Sequence, residues 1–212
     1  MKKINLLFIL VFSLSALSCY SQKYVFYLHG RIVEVQGPNA VDTINGYGAY
    51  RYFDIIDSLK KKGFNVISEV RKPNTDVKEY AKVVSKQIDS LLKQNIKPRN
   101  ITVIGASKGA IIAMYVSTLL KNSDINYVFM GACYDNLYAE NKEIMFCGNI
   151  LSIYEKSDYE IGRSCKKLKD RSNSITNYKE IEINTGLRHG FIYRPIKEWM
   201  EPTSQWINNY YK

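Results

Sequence analysis

Apolar residues recur along this chain in two rhythms that take turns. Tyr24-Val-Phe-Tyr-Leu28 is an unbroken apolar run ending at His29-Gly30, and its length and composition predict a strand buried on both faces. From Asp76 onward the interval changes. Val77, Tyr80, Ala81, Val84, Ile88, Leu91 and Leu92 mark one face of a helix, and Asp76 with Glu79 has the form of a capping box at its start. The alternation continues along the rest of the chain. A helix is predicted from about Ala49, with Phe53, Ile56 and Leu59 on one face, closed by Lys60-Lys61-Lys62 and Gly63. Further strands are predicted at Phe64–Glu69, Ile101–Gly105, Tyr127–Gly131, Ile150–Tyr154 and Lys179–Ile183. Further helices are predicted at Ala110–Leu120, around Asn136–Ile144, in a short polar segment before residue 179, and from about Pro195. Residues 31–47 follow neither rhythm, are punctuated by Gly, Pro and Asn, and exceed the usual strand-to-helix connection, which predicts a functional or mobile loop. Strands alternating with helices define an α/β fold: a mostly parallel sheet of about six strands with helices on both faces. No repeat or interdomain linker interrupts the pattern, so residues 22–212 read as one domain.

Composition adds a location to this picture. At 46% hydrophobic and 24% charged, the 212 residues belong to a globular chain able to bury a core. The net charge is +10, of which Lys2 and Lys3 supply two. The remaining cations are scattered among acids, as at Lys60 to Lys62 and around Lys166, Lys167 and Lys169. No nucleic-acid-binding pattern accompanies them, which leaves a solvated basic surface. Residues 1–21 have the form of an export leader: a basic start, an apolar stretch from Leu6 to Leu17 too short to span a bilayer, then small residues. Ala16-Leu17-Ser18-Cys19 loosely resembles a lipobox, which would put a lipid on Cys19; cleavage after Ser21 fits equally well, and an uncleaved anchor is a third form. The exported compartment permits disulfides. Cys133 follows one strand and Cys165 follows the loop after the next, so these two are the expected pair, with Cys147 at the opposite edge of the sheet.

The chemistry centres on Ile101-Thr-Val-Ile-Gly-Ala-Ser-Lys-Gly-Ala110. A β-branched strand runs into G-x-S-x-G and straight on into a helix, a turn so sharp that positions two before and two after the serine must lack bulk. The turn exposes the Ser107 hydroxyl and places a helix N-terminus beside it, where developing negative charge is favoured. A serine needs a base, and a histidine base needs a carboxylate to fix its tautomer. The chain has two histidines, His29 after the first strand and His189 before the last helix, both on the carboxyl edge of the predicted sheet where ligands bind. Asp158 closes the short loop after strand Ile150–Tyr154; Asp135, after the preceding strand, is the rival acid.

LHG at 28–30, GASKG at 105–109, YEKSD at 154–158 and LRHGF at 187–191 together resemble the α/β-hydrolase superfamily over nearly the whole mature chain, in the chain order Ser, Asp, His. The resemblance implies Ser107 as nucleophile, His189 as base and Asp158 as orienting acid. It implies Lys108 N–H as one oxyanion donor and Arg31 or Gly30 N–H as the second, with His29 structural. The chain departs from the superfamily in three ways: no strand before Tyr24, no cap insertion after Tyr127–Gly131, and a lysine after the serine. These imply a compact, lidless hydrolase in which residues 31–47 wall the substrate. Glu34, Glu69 and Arg71 are candidates for the edge of that substrate pocket, with surface or loop placement the favoured expectation for each. LRHG also resembles the Arg-His-Gly signature of histidine phosphatases, but the order of elements does not fit. The expected function is an exported serine hydrolase of carboxylic esters or related acyl bonds, with a non-catalytic envelope binding protein of the same fold as the alternative. No metal or organic cofactor is expected. The expected partner is a small acyl substrate, with no nucleic acid, and with membrane contact only through a lipid on Cys19.

Overall fold

The computed structural model describes residues 22–134, 136–159 and 161–211. The leader, with Cys19, and the rival acid Asp135 lie outside them. The chain runs β1 (Tyr24–Leu28), α1 (Arg31–Gln36), β2 (Val41–Asp42), β3 (Gly48–Ala49), α2 (Tyr52–Lys61), β4 (Asn65–Ile67), α3 (Val77–Lys93), β5 (Ile101–Ala106), α4 (Lys108–Leu120) and β6 (Asn126–Met130). It continues with α5 (Leu137–Glu140), β7 (Cys147–Glu155), α6 (Lys166–Arg171), β8 (Ser174–Ile183) and α7 (Lys197–Ile207). Six strands form one sheet in the order β4-β1-β5-β6-β7-β8, every neighbouring pair parallel.

The two-residue period of β1 divides its side chains between two cores. Phe26 and Leu28 face the layer that holds α3 and α4, with Val84, Ile88, Ile112 and Val116. Val25 and Tyr27 face the layer of α1, α2 and α7, with Val33, Ile55, Leu59, Trp199 and Trp206. Burying both faces is why the central strands are continuous apolar runs rather than alternating ones. The predicted stripe on α3 faces the sheet, and Asp76 caps the helix by accepting from the N–H groups of Lys78 and Glu79. The Glu79 carboxylate pairs with Lys82.

Four expectations change. Residues 31–47 are not an unstructured loop: they hold α1 and the β2 strand of a two-stranded ribbon, elements too short for a period to register. Helix α2 starts at Tyr52 and turns Tyr52, Ile55 and Leu59 inward, leaving Phe53 53% exposed. Tyr52 tolerates burial because its hydroxyl bonds Ser68 Oγ at 2.9 Å. The helix expected around residues 136–144 shrinks to α5. Strands β7 and β8 run longer than their apolar cores, and Cys147 opens β7 rather than preceding it. It still lies at the end of the sheet away from Ser107, as a buried free thiol. Cys133 and Cys165 form the disulfide, with Cα atoms 5.2 Å apart.

Candidate active site

Strand β5 ends at Ala106, α4 begins at Lys108, and Ser107 between them has φ 53° and ψ −121°. A side-chain-bearing residue there is strained by about 1–3 kcal/mol, so the surroundings must enforce it. They do. Ser107 N–H donates to the Met130 carbonyl at 2.8 Å, and the Ser107 carbonyl accepts from Ala110 N–H at 2.8 Å. A Cβ on Gly105 would collide with Ala110 Cα and the Gly109 carbonyl, and one on Gly109 would fall on the Leu28 carbonyl. The two glycines of the motif are therefore where backbone passes backbone, as the turn requires.

The loops after β7 and β8 bring two more residues to the serine. His189 Nε2 lies 3.0 Å from Ser107 Oγ, and His189 Nδ1 lies 2.6 Å from Asp158 Oδ2. Asp158 is 3% exposed and His189 5%. Burial pushes the Asp158 carboxyl up, but the His189 bond and the N–H groups of Ile161 and Gly162 outweigh it and hold it below the ordinary value. The ionised Asp158 accepts a hydrogen bond from His189 Nδ1–H, which leaves Nε2 to accept from the Ser107 hydroxyl.

A residue the sequence did not single out holds these two loops together. The buried Glu155 carboxylate accepts from Thr185 N–H at 2.9 Å and Thr185 Oγ1 at 2.6 Å, on the way to His189. It also accepts from Ser157 Oγ at 3.0 Å, beside Asp158, and Ser157 Oγ in turn accepts from Arg188 N–H at 3.1 Å. The disulfide holds the far end of the Asp158 loop against the β6 exit, where Arg163 N–H donates to the Cys133 carbonyl. Gly162 packs so close to Asp158 that a Cβ there would lie 2.5 Å from Oδ2.

On the other side of Ser107 sits the turn after β1. A Cβ on Gly30 would stand 3.6 Å from Ser107 Cβ. Gly30 N–H donates to Tyr50 Oη at 3.4 Å, while Arg31 N–H opens α1 and Lys108 N–H opens α4, positions with no intrahelical acceptor. His29 is wholly buried, and its Nδ1–H donates to the Gly30 carbonyl at 2.8 Å while Nε2 accepts from Arg71 N–H at 3.0 Å. Burial, reinforced by the Arg71 charge, lowers its pKa to about 4, so it stays neutral and shapes the turn. It is not part of the serine's hydrogen-bonded chain.

Glu34 and Arg71 are not surface residues: each is 3% exposed. Segments distant in sequence meet here, and the pairing of opposite charges makes their burial tolerable. Glu69 is exposed, accepting from Tyr80 Oη at 2.6 Å. The Lys108 ammonium is taken up by Glu34 Oε1 at 2.6 Å and the Thr75 carbonyl at 2.7 Å. The Tyr47 ring lies 6.2 Å from that of His189, with Arg188 over it at 5.4 Å. A cleft of about 570 Å³ is lined by Arg31 and Lys108, the residues next to Gly30 and Ser107, and beyond them by Thr75, Tyr115, Tyr134 and Asn141; Ser107 and His189 are not in its lining. Among the described residues no group of three or more His, Cys, Asp or Glu could hold a metal ion.

No family model and no curated protein sequence matches this chain. Solved structures do. SOBER1 from Arabidopsis thaliana matches with a TM-score of 0.58 at 13% identity, over 91% of this chain and 100% of that one. A YdeN-like hydrolase from Pectobacterium atrosepticum matches with a TM-score of 0.56 at 9% identity, over 90% and 94%. A lipase-esterase related protein from Clostridium acetobutylicum matches with a TM-score of 0.56 at 16% identity, over 90% and 95%. At such identities the likeness is one of architecture, and that architecture is the α/β-hydrolase fold.

Proposed function

We propose that this chain is an exported serine hydrolase of carboxylic esters or related acyl bonds. The observation that carries this is the unbroken hydrogen-bonded chain from Ser107 Oγ through His189 to the buried Asp158. In this reading Ser107 Oγ attacks the acyl carbon as its proton passes to His189 Nε2. The carbonyl oxygen becomes an oxyanion held by the N–H groups of Lys108 and Arg31, Gly30 N–H being engaged by Tyr50. The bond to the alcohol breaks, the alcohol leaves with the proton from His189, and the acyl group remains on Ser107. Water enters, gives its proton to His189, and attacks the acyl carbon; the acid departs as Ser107 recovers the proton.

The cleft beside Arg31 and Lys108 is lined mainly by charged, hydroxyl and amide groups, which favours a polar substrate over a long alkyl chain. Export is supported by the leader pattern and by a disulfide, which persists in oxidising compartments. Mature protein then begins at Gln22 or at lipidated Cys19, and intact mass of exported protein separates these from an uncleaved anchor. Hydrolysis of an ester panel from acetyl to octanoyl, with acetylated sugars, tests the function itself. Ser107→Ala and His189→Ala should each lower turnover by roughly 10⁴-fold. A folded protein that binds members of the panel and hydrolyses none would be a binding protein.

A further inference from the structure

We infer that the Glu34–Lys108 ion pair sets the spacing of the oxyanion hole, which makes Glu34 a positioning residue for acyl transfer; this rests on the serine-hydrolase reading above. The two N–H donors belong to different helices that leave different strands, Lys108 at the start of α4 and Arg31 at the start of α1. They stabilise one oxygen only if both sit about 2.7–3.1 Å from it. Helix α4 is fixed by its burial against the sheet. Helix α1 has six residues, too few to hold a position by itself.

Val33 anchors α1 in the core, and Glu34, within its first turn, ties the helix to α4. Its Oε1 accepts from Lys108 Nζ at 2.6 Å, so the residue supplying one donor grips the helix supplying the other. Its Oε2 accepts from Arg71 Nε at 3.2 Å. Arg71 in turn binds the turn leading into α1, donating from Nη2 to the His29 carbonyl at 2.5 Å and from its N–H to His29 Nε2. Thr75 closes the circle: its N–H donates to Glu34 Oε1 at 3.1 Å, and its carbonyl accepts from Lys108. The side chains of Glu34 and Arg71 are 1% exposed and that of Lys108 19%, so this is a desolvated network rather than a surface pair. Buried ion pairs are weak sources of net stability; their usefulness lies in allowing only one geometry.

The experiment compares ester turnover and inhibition by phenylboronic acid in wild type, Glu34→Gln, Lys108→Met and the double variant. Boron adds to Ser107 Oγ and becomes tetrahedral, placing one of its oxygens in the hole. Both single variants should lose about 10- to 100-fold in kcat with KM within about twofold, and the inhibition constant should rise in step with the loss in kcat. The double variant should be no worse than the worse single, because both break one bridge. Lys108→Met keeps its backbone donor and leaves Glu34 paired with Arg71, which guards against simple misfolding. Wild-type kcat and boronate affinity in folded Lys108→Met would overturn the inference, as would a loss of kcat that only follows the folded fraction. An active wild type with unaffected variants removes this inference alone. A wild type that neither hydrolyses ester nor binds boronate removes the hydrolase reading and this inference with it.

Discussion

Two buried glutamates stand behind the candidate active site, and they are held in opposite ways. Glu155 accepts from neutral donors, the N–H and hydroxyl groups of Thr185 and Ser157 and the N–H of Gly186, and it joins the loops that carry Asp158 and His189. Glu34 accepts from two cations, Arg71 and Lys108, and joins the turn and helix that carry the proposed oxyanion donors. Burial opposes the charge on both. On Glu34, Lys108 and Arg71 outweigh it; on Glu155, the Thr185 and Ser157 donors do, so both carboxyls stay below their ordinary pKa. The difference shows in what is left when the carboxylate goes. Without Glu155, polar groups lose an acceptor; without Glu34, a buried guanidinium loses its counter-charge. One side of the site is pinned by dipoles and the other by charge.

The largest expected effect lies on the dipole-pinned side and is kinetic. Asp158→Asn should lower turnover by roughly 10⁴-fold with the fold intact, because His189 loses control of its tautomer. Asp135→Asn should leave turnover near wild type; the reverse result would move the acid to the preceding loop. On the charge-pinned side the effect is structural. Glu34→Ala should lose about 3–5 kcal/mol in urea unfolding, as expected for breaking a buried ion pair. Glu155→Ala should lose less, about 1–3 kcal/mol, as expected for unsatisfied neutral donors. Equal losses would erase the distinction.

A smaller effect tracks pH through His29. Its folded pKa of about 4 is below the ordinary imidazole value of 6.5, so between these pH values the unfolded chain binds a proton that the native one does not. Stability therefore falls as pH drops from 6.5 toward 4, by on the order of 3 kcal/mol. Above pH 5 the lowered carboxyls of Glu34, Glu155 and Asp158 contribute little to this slope, since most of their loss of stability falls at and below their unfolded values. His29→Asn should flatten urea stability between pH 6.5 and 5. An unchanged slope would place the proton elsewhere.

How much of this could be read from sequence depends on distance along the chain. Strand β1 shows as an unbroken apolar run and helix α3 carries its own period, and the glycines around Ser107 announce a turn that only glycines fit. Asp158 and His189 were legible as residues at strand exits, which the parallel sheet brings to one edge. Glu34 and Arg71 were not. They lie 37 residues apart, and nothing local distinguishes a charge that will be buried with a partner from one that will be solvated. Glu155 was hidden differently, as a polar residue ending an apolar strand, where a surface position is the ordinary outcome. Helix α2 was misphased because Phe53 and Tyr52 are neighbours of similar apolar weight, and only packing on the sheet decides which turns in.

The central claim is that Ser107 is made nucleophilic by His189, and covalent labelling tests it most directly. An unassisted serine hydroxyl does not react with a fluorophosphonate at neutral pH, whereas one sharing its proton with a positioned base does. Peptide mapping of the protein treated with a fluorophosphonate probe should find the adduct on Ser107 alone, absent in Ser107→Ala and sharply reduced in His189→Ala. Folded protein whose Ser107 stays unmodified, or whose labelling is unaffected by loss of His189, would contradict the account.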